Sequence, residues 1–143
     1  MFYALFISFF ILICYFDIKS LFIPLYLNIP LLLLSLLYSF LLKIPAIFIF
    51  LNPAIGFLFI FFIHIITKKG IGLGDAILSA SIAAILGINY WLLAMTTASL
   101  MALTSIFYMK LIKKKNIRYM RIPFAPYMIV GAVIFFVYRY FIN

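Results

Sequence analysis

The sequence predicts an all-α fold, a polytopic bundle of about six transmembrane helices, on three observations. Hydrophobic side chains make up 70% of the 143 residues and charged ones only 9%, far from the make-up of a soluble domain. The apolar residues fall in long runs separated by short segments that hold most of the charge. The basic residues also divide unevenly between the two sides that alternating spans create. A bilayer span needs about 20 predominantly apolar residues, so this length holds roughly five or six short spans. A single membrane domain over residues 1–143 is the economical reading.

The first span is expected over Phe2 to Phe16. Its segment, MFYALFISFFILICYF, has no basic n-region and no small-residue cleavage site, which predicts a retained span and not a removed signal. The following spans are expected over Leu27 to Leu42, Ala46 to Thr67, Asp75 to Leu86, Tyr90 to Leu111 and Pro123 to Phe141. Asn28 with Pro30, Asn52 with Pro53, and Ile122 with Pro123 read as helix starts, and Gly70 and Gly87 as stops. Pro53 has a second reading, as a kink within the third span.

The fourth span is short: twelve residues, Asp75 to Leu86, give a helix of about 18 Å at 1.5 Å per residue. It cannot cross a full hydrocarbon core alone. Ala76, Ala80 and Ala84 recur at a spacing of four, with Ala83 and Gly87 beside them, a small-residue face that lets membrane helices approach closely. Shielding by its neighbours is expected, with a water-accessible cavity at its cytoplasmic end.

Nine of the eleven basic residues fall on one side of this alternation: Lys19, Lys68, Lys69, Lys110, Lys113, Lys114, Lys115, Arg118 and Arg121. Lys43 and Arg139 fall on the other. The basic-rich side is predicted to be cytoplasmic, with both termini outside. The net charge of +9 is thus explained by topology and by anionic lipid, and no nucleic-acid partner is expected. Lys110 to Arg121 is the segment best suited to lipid head groups.

Only two acidic residues exist in the chain, Asp17 and Asp75, and both are expected at cytoplasmic ends of spans. Acidic side chains within membrane helices tend to face a cavity or a partner. Asp75 opens a helix, where the dipole and the free N–H groups of the first turn favour a carboxylate. Gly70, Gly72 and Gly74 precede it, and glycines permit unusual backbone angles and the close approach of a second chain. Two neighbouring carboxyls share a proton, so that one activates water while the other donates to a carbonyl. The competing reading is that each aspartate merely caps its helix at the interface.

Other features are less informative. Cys14 is a lone thiol, expected as a small buried hydrophobe. Gly70 to Gly74 reads GxGxG, which is neither a dinucleotide fingerprint nor a phosphate loop. His64 stands near the cytoplasmic end of the third span, either beside the cavity of Asp75 or as a packed polar residue. It has no Cys or Glu ligand set nearby, so no metal and no other cofactor is expected.

Three motifs in order, DIKSLFIP (Asp17 to Pro24), GIGLGD (Gly70 to Asp75) and IPFAP (Ile122 to Pro126), give the chain a resemblance. It resembles the type IV prepilin peptidases, the GxGD membrane aspartic endopeptidases, related in motif to the archaeal preflagellin peptidases. The resemblance implies that Asp17 and Asp75 are a catalytic pair in a multi-pass protein of the inner (plasma) membrane. It also implies cleavage of the basic leader of prepilin-like precursors at the cytoplasmic face. With one cysteine, the chain resembles the peptidase-only kind, which lacks the methylating domain with paired CxxC motifs. It departs from the family pattern at Leu25, where Asn is usual, at Leu21 and Phe22, where basic residues are common, and at Ile77, where Lys is usual. These departures keep two other classes open: a non-catalytic assembly subunit of a pilus or secretion apparatus, and a small proton- or cation-coupled transporter.

Overall fold

Six α-helices build the computed structural model, which describes residues 2–67, 72–111 and 123–142. They are α1 (Phe2–Ser20), α2 (Leu25–Leu41), α3 (Ala46–Ile66), α4 (Leu73–Leu86), α5 (Ile88–Leu111) and α6 (Ala125–Ile142). The all-helical class and the number of helices agree with expectation. Among the described residues, α3 and α5 are long and apolar enough to cross a membrane. Most of the basic residues used for the orientation, Lys68, Lys69 and those from Lys113 to Arg121, lie outside the described residues.

Several helix boundaries differ from the predicted ones. α1 runs past Phe16 to Ser20, so Asp17 lies in its last turn and not after it. α2 starts at Leu25 behind Pro24, whose backbone is extended (φ −64°, ψ 135°). Asn28 and Pro30, read above as a helix start, therefore lie inside α2. The Ile23-Pro24 pair breaks the chain more firmly, because a proline ring also pushes the preceding residue out of helical conformation. α3 likewise starts behind Pro45 and continues through Asn52 and Pro53, so that pair is not a start either. An interior proline removes one ladder bond, whereas ending a helix in apolar surroundings strands several backbone groups.

α4 is the axis of the bundle, packed against α2, α3, α5 and α6, while α5 pairs with α6 and α1 bridges α2 and α6. Every residue from Leu78 to Leu86 is buried, so the short helix is shielded as its composition predicts. Its small-residue face meets α3. A Cβ on Gly56 would stand 2.7 Å from the Ala83 Cβ, and the Ser79 hydroxyl donates to the Gly56 carbonyl at 2.9 Å. The Trp91 indole in turn donates to Ser79 at 3.0 Å. α4 ends at Gly87, whose φ of 77° suits glycine. Arg139, assigned above only a topological role, reaches from α6 to the end of α4 and donates to the carbonyls of Ile85 (3.2 Å) and Leu86 (2.9 Å).

Polarity is distributed unlike that of a water-soluble bundle. Asn28, Ser35, Ser39, Asn52, Ser79 and Ser81 are buried with the two aspartates. Large apolar side chains such as Leu33, Phe50, Phe62 and Leu103 face outward.

Candidate active site

α1 does not stop by fraying. The Ser20 hydroxyl donates to the carbonyls of Phe16 (2.7 Å) and Phe22 (3.2 Å), and the Leu21 amide donates to the Asp17 carbonyl at 2.9 Å. Leu21 takes a left-handed backbone (φ 53°), a conformation costly for a branched side chain. The chain turns sharply there, and Leu21, Phe22 and Ile23 form an elbow before α2. The elbow is one wall of a cavity of about 260 Å³. Its other walls are Gly72, Leu73, Gly74, Asp75 and Ile77 at the start of α4, with Leu25 of α2 and Phe57 of α3.

Both aspartates line this cavity, though they are remote in sequence. Asp17 is 5% exposed, and its Oδ2 accepts the amide of Ala125, the first residue of α6, at 3.0 Å. The segment from Pro123 to Pro126 thus delivers a helix N-terminus to Asp17, where an amide and the dipole favour a carboxylate. Asp75 is 7% exposed, and its Oδ2 accepts the Gly72 amide at 3.1 Å. That contact is the half of a capping box that a glycine N-cap permits. The Asp75 Oδ1 is buried with no hydrogen-bond partner among the described residues.

Gly72 and Gly74 stand where the sequence expectation puts them, against Asp75, while Gly70 lies outside the described residues. Gly74 is required by a close approach: a Cβ there would lie 2.8 Å from the Ile23 Cβ and 3.2 Å from the Ile23 carbonyl. The Asn28 amide donates to the Gly74 carbonyl at 2.9 Å. His64 is not among the cavity residues; its ring stacks on Phe61, which stacks on Phe57. The lone thiol of Cys14 is half-buried in α1.

Three contributors to the site escaped sequence reasoning: Phe57, the Ala125 amide and Asn28. The only sequence signal for Asn28 is an amide side chain inside an apolar run, a pattern that also fits a helix start. Leu21, Phe22, Leu25 and Ile77, noted above as unusual, all line the cavity. Apart from the aspartates, its side chains are apolar. A second cavity, about 180 Å³ between α1, α4 and α6, is walled by residues such as Phe10, Ile82 and Phe136 and holds no group capable of chemistry.

Fold and site together define a helical bundle, apolar outside, that turns its two acidic side chains into one cavity. The chain belongs to the type IV leader peptidase family, whose model matches residues 4–109, a stretch containing both aspartates and all of the glycines around Asp75. Membership makes it a peptidase and implies prepilin-like substrates. No similar curated protein and no similar solved structure was found.

Proposed function

We propose that the chain is a single-domain, six-span membrane aspartic endopeptidase that removes the leader of prepilin-like precursors at the cytoplasmic face, with Asp17 and Asp75 as its catalytic residues. The observation that carries this reading is the convergence of the chain's two carboxyls, both more than nine-tenths buried, on one cavity. Burying an acidic side chain is costly, and burying two at one cavity costs more, an expense that a working pair explains. The apolar outer surface and the lengths of α3 and α5 support a membrane setting.

The contacts suggest a division of labour. Asp17, held by the Ala125 amide at the positive end of α6, is the member suited to remain a carboxylate and take a proton from the attacking water. Asp75 has an oxygen that lacks a donor among the described residues, so it is the member that carries the shared proton and donates it to the scissile carbonyl. Gly72 and Gly74 hold Asp75 and leave room for the substrate backbone.

The test is cleavage of a prepilin-like reporter by Asp17→Asn and Asp75→Asn proteins that insert and fold normally. Both are expected to lose cleavage by about 10³-fold, the middle of the range for acid–base groups. Full cleavage by both variants would overturn the reading. The apolar lining at Leu21, Phe22, Leu25 and Ile77 favours one alternative, an assembly subunit with impaired chemistry. Such a protein would keep its cellular function with Asn at position 75. The same lining offers a transported cation no ligands beyond the aspartates.

A further inference from the structure

Asn28 is an expensive residue in its position. It is 0% exposed, and its Oδ1 has no hydrogen-bond partner among the described residues. A buried unpaired acceptor is destabilising relative to an apolar side chain of similar shape. Its Nδ2 makes one bond, 2.9 Å to the Gly74 carbonyl, across 46 residues of sequence. That carbonyl belongs to the first turn of α4, where the helical ladder already supplies a donor. The bond is therefore not needed to satisfy a stranded group, and its remaining consequence is geometric.

The geometry concerns the two aspartates. Gly74 immediately precedes Asp75, and Asn28 lies in the first turns of α2, one short elbow beyond Asp17. The same elbow presses Ile23 onto Gly74, leaving no space for a Cβ. Ile23 and Asn28 thus both contact one residue, and that residue immediately precedes Asp75. The Ser20 and Leu21 bonds fasten the elbow to the end of α1, which bears Asp17. The Asn28 to Gly74 bond is then the directional link between the segment bearing one carboxyl and the helix bearing the other.

We propose that Asn28 is a positioning residue, fixing the start of α4 on the α1–α2 elbow so that Asp75 meets Asp17 at the separation the reaction needs. The inference rests on the peptidase reading above. Misplacement by about 1 Å costs on the order of a hundredfold in rate, whereas the fold has other contacts between α2 and α4, including the Ser39 to Ala84 bond at 2.8 Å.

The experiment uses the full chain in liposomes with a prepilin-like reporter, comparing wild type, Asp75→Asn, Asn28→Leu and Asn28→Asp. Asn28→Leu is expected to keep its thermal midpoint while kcat falls by about a hundredfold and KM stays near the wild-type value. Asn28→Asp keeps the shape and recovers the donor only when its carboxyl is protonated. Its activity should approach wild type at acidic pH and fall earlier than wild type as pH rises. The titratable groups facing that region from the neighbouring helices are Asp75 on α4 and Asp17 on α1, and both are common to the two proteins being compared. If Asn28→Leu does not fold, the Asn28→Asp profile decides alone. Wild-type kcat and pH profile in both Asn28 variants, or a lowered midpoint with unchanged kcat, would show a merely structural residue. Failure of the underlying reading is seen separately, as a wild type no more active than Asp75→Asn, and it removes this proposal as well.

Discussion

The two ends of α4 are finished to different standards. A helix leaves its last four carbonyls without ladder partners, and at this C-terminus all four are met. The Gly87 amide donates to Ala83 (2.9 Å), Ser39 to Ala84 (2.8 Å), and Arg139 to Ile85 and Leu86. At the other end, a buried carboxyl oxygen of Asp75 has no donor among the described residues, and Asp75 lines the same cavity as a second carboxyl. Both conditions lie on one helix of 14 residues, about 21 Å long. Under the peptidase reading proposed above, one end serves stability and the other chemistry, in keeping with the rule that reactive constellations are held at some cost to stability.

The sharpest way to break this division is to combine the aspartate changes. If Asp17 and Asp75 act as one unit, the Asp17→Asn/Asp75→Asn protein should be no slower than either single variant, since groups that work together are strongly non-additive. Multiplying losses in reporter cleavage would instead mean two independent roles. Asp75→Asn keeps an oxygen to accept the Gly72 amide and replaces a buried ionisable group by a neutral one. Its thermal midpoint should be unchanged or higher while its activity is lost.

The opposite end predicts the opposite pattern. Arg139→Met removes two charge-assisted bonds to the end of α4, together with the guanidinium that lies 5.9 Å from the centre of the Tyr90 ring. It should cost about 1.5–3 kcal/mol in stability, read by thermal unfolding in detergent, with kcat of the folded protein unchanged. Lost kcat at a preserved midpoint would show that the two ends are not separate.

Legibility in the sequence follows the same contrast. The helix number was readable because each apolar run is one element, and the shielding of α4 because alanines every fourth residue can only serve close packing. Asp17 and Asp75 stood out as the chain's only acids. What failed was whatever depends on partners distant in sequence. Asp17 meets Ala125 across 108 residues, and Arg139 meets Leu86 across 53; no local pattern encodes either contact. The helix starts at Asn28 and Asn52 failed for another reason: local propensity was allowed to outvote the requirement that a backbone in apolar surroundings keep its ladder. That error concealed Asn28, which turned out to face the start of α4.

The smallest effect tests whether the finished end is finished bond by bond. Ser39 is 1% exposed, and its hydroxyl is within bonding distance of both the Ser35 carbonyl (3.1 Å) and the Ala84 carbonyl (2.8 Å). It has one proton, and the Ser35 carbonyl has a ladder donor within α2, so the Ala84 contact is the one the fold needs. Ser39→Ala strands that carbonyl at a cost of about 0.6 kcal/mol, the typical value for a polar contact between membrane helices. The neighbouring carbonyls of Ile85 and Leu86 remain held by Arg139, which limits fraying to a single residue. In Arg139→Met that support is gone, and the same serine change should then cost more than it does alone, because groups sharing one helix end couple. Additive losses in a double-mutant cycle of thermal stabilities would mean that Ser39 and Arg139 secure α4 independently, and that its last turn does not behave as one cap.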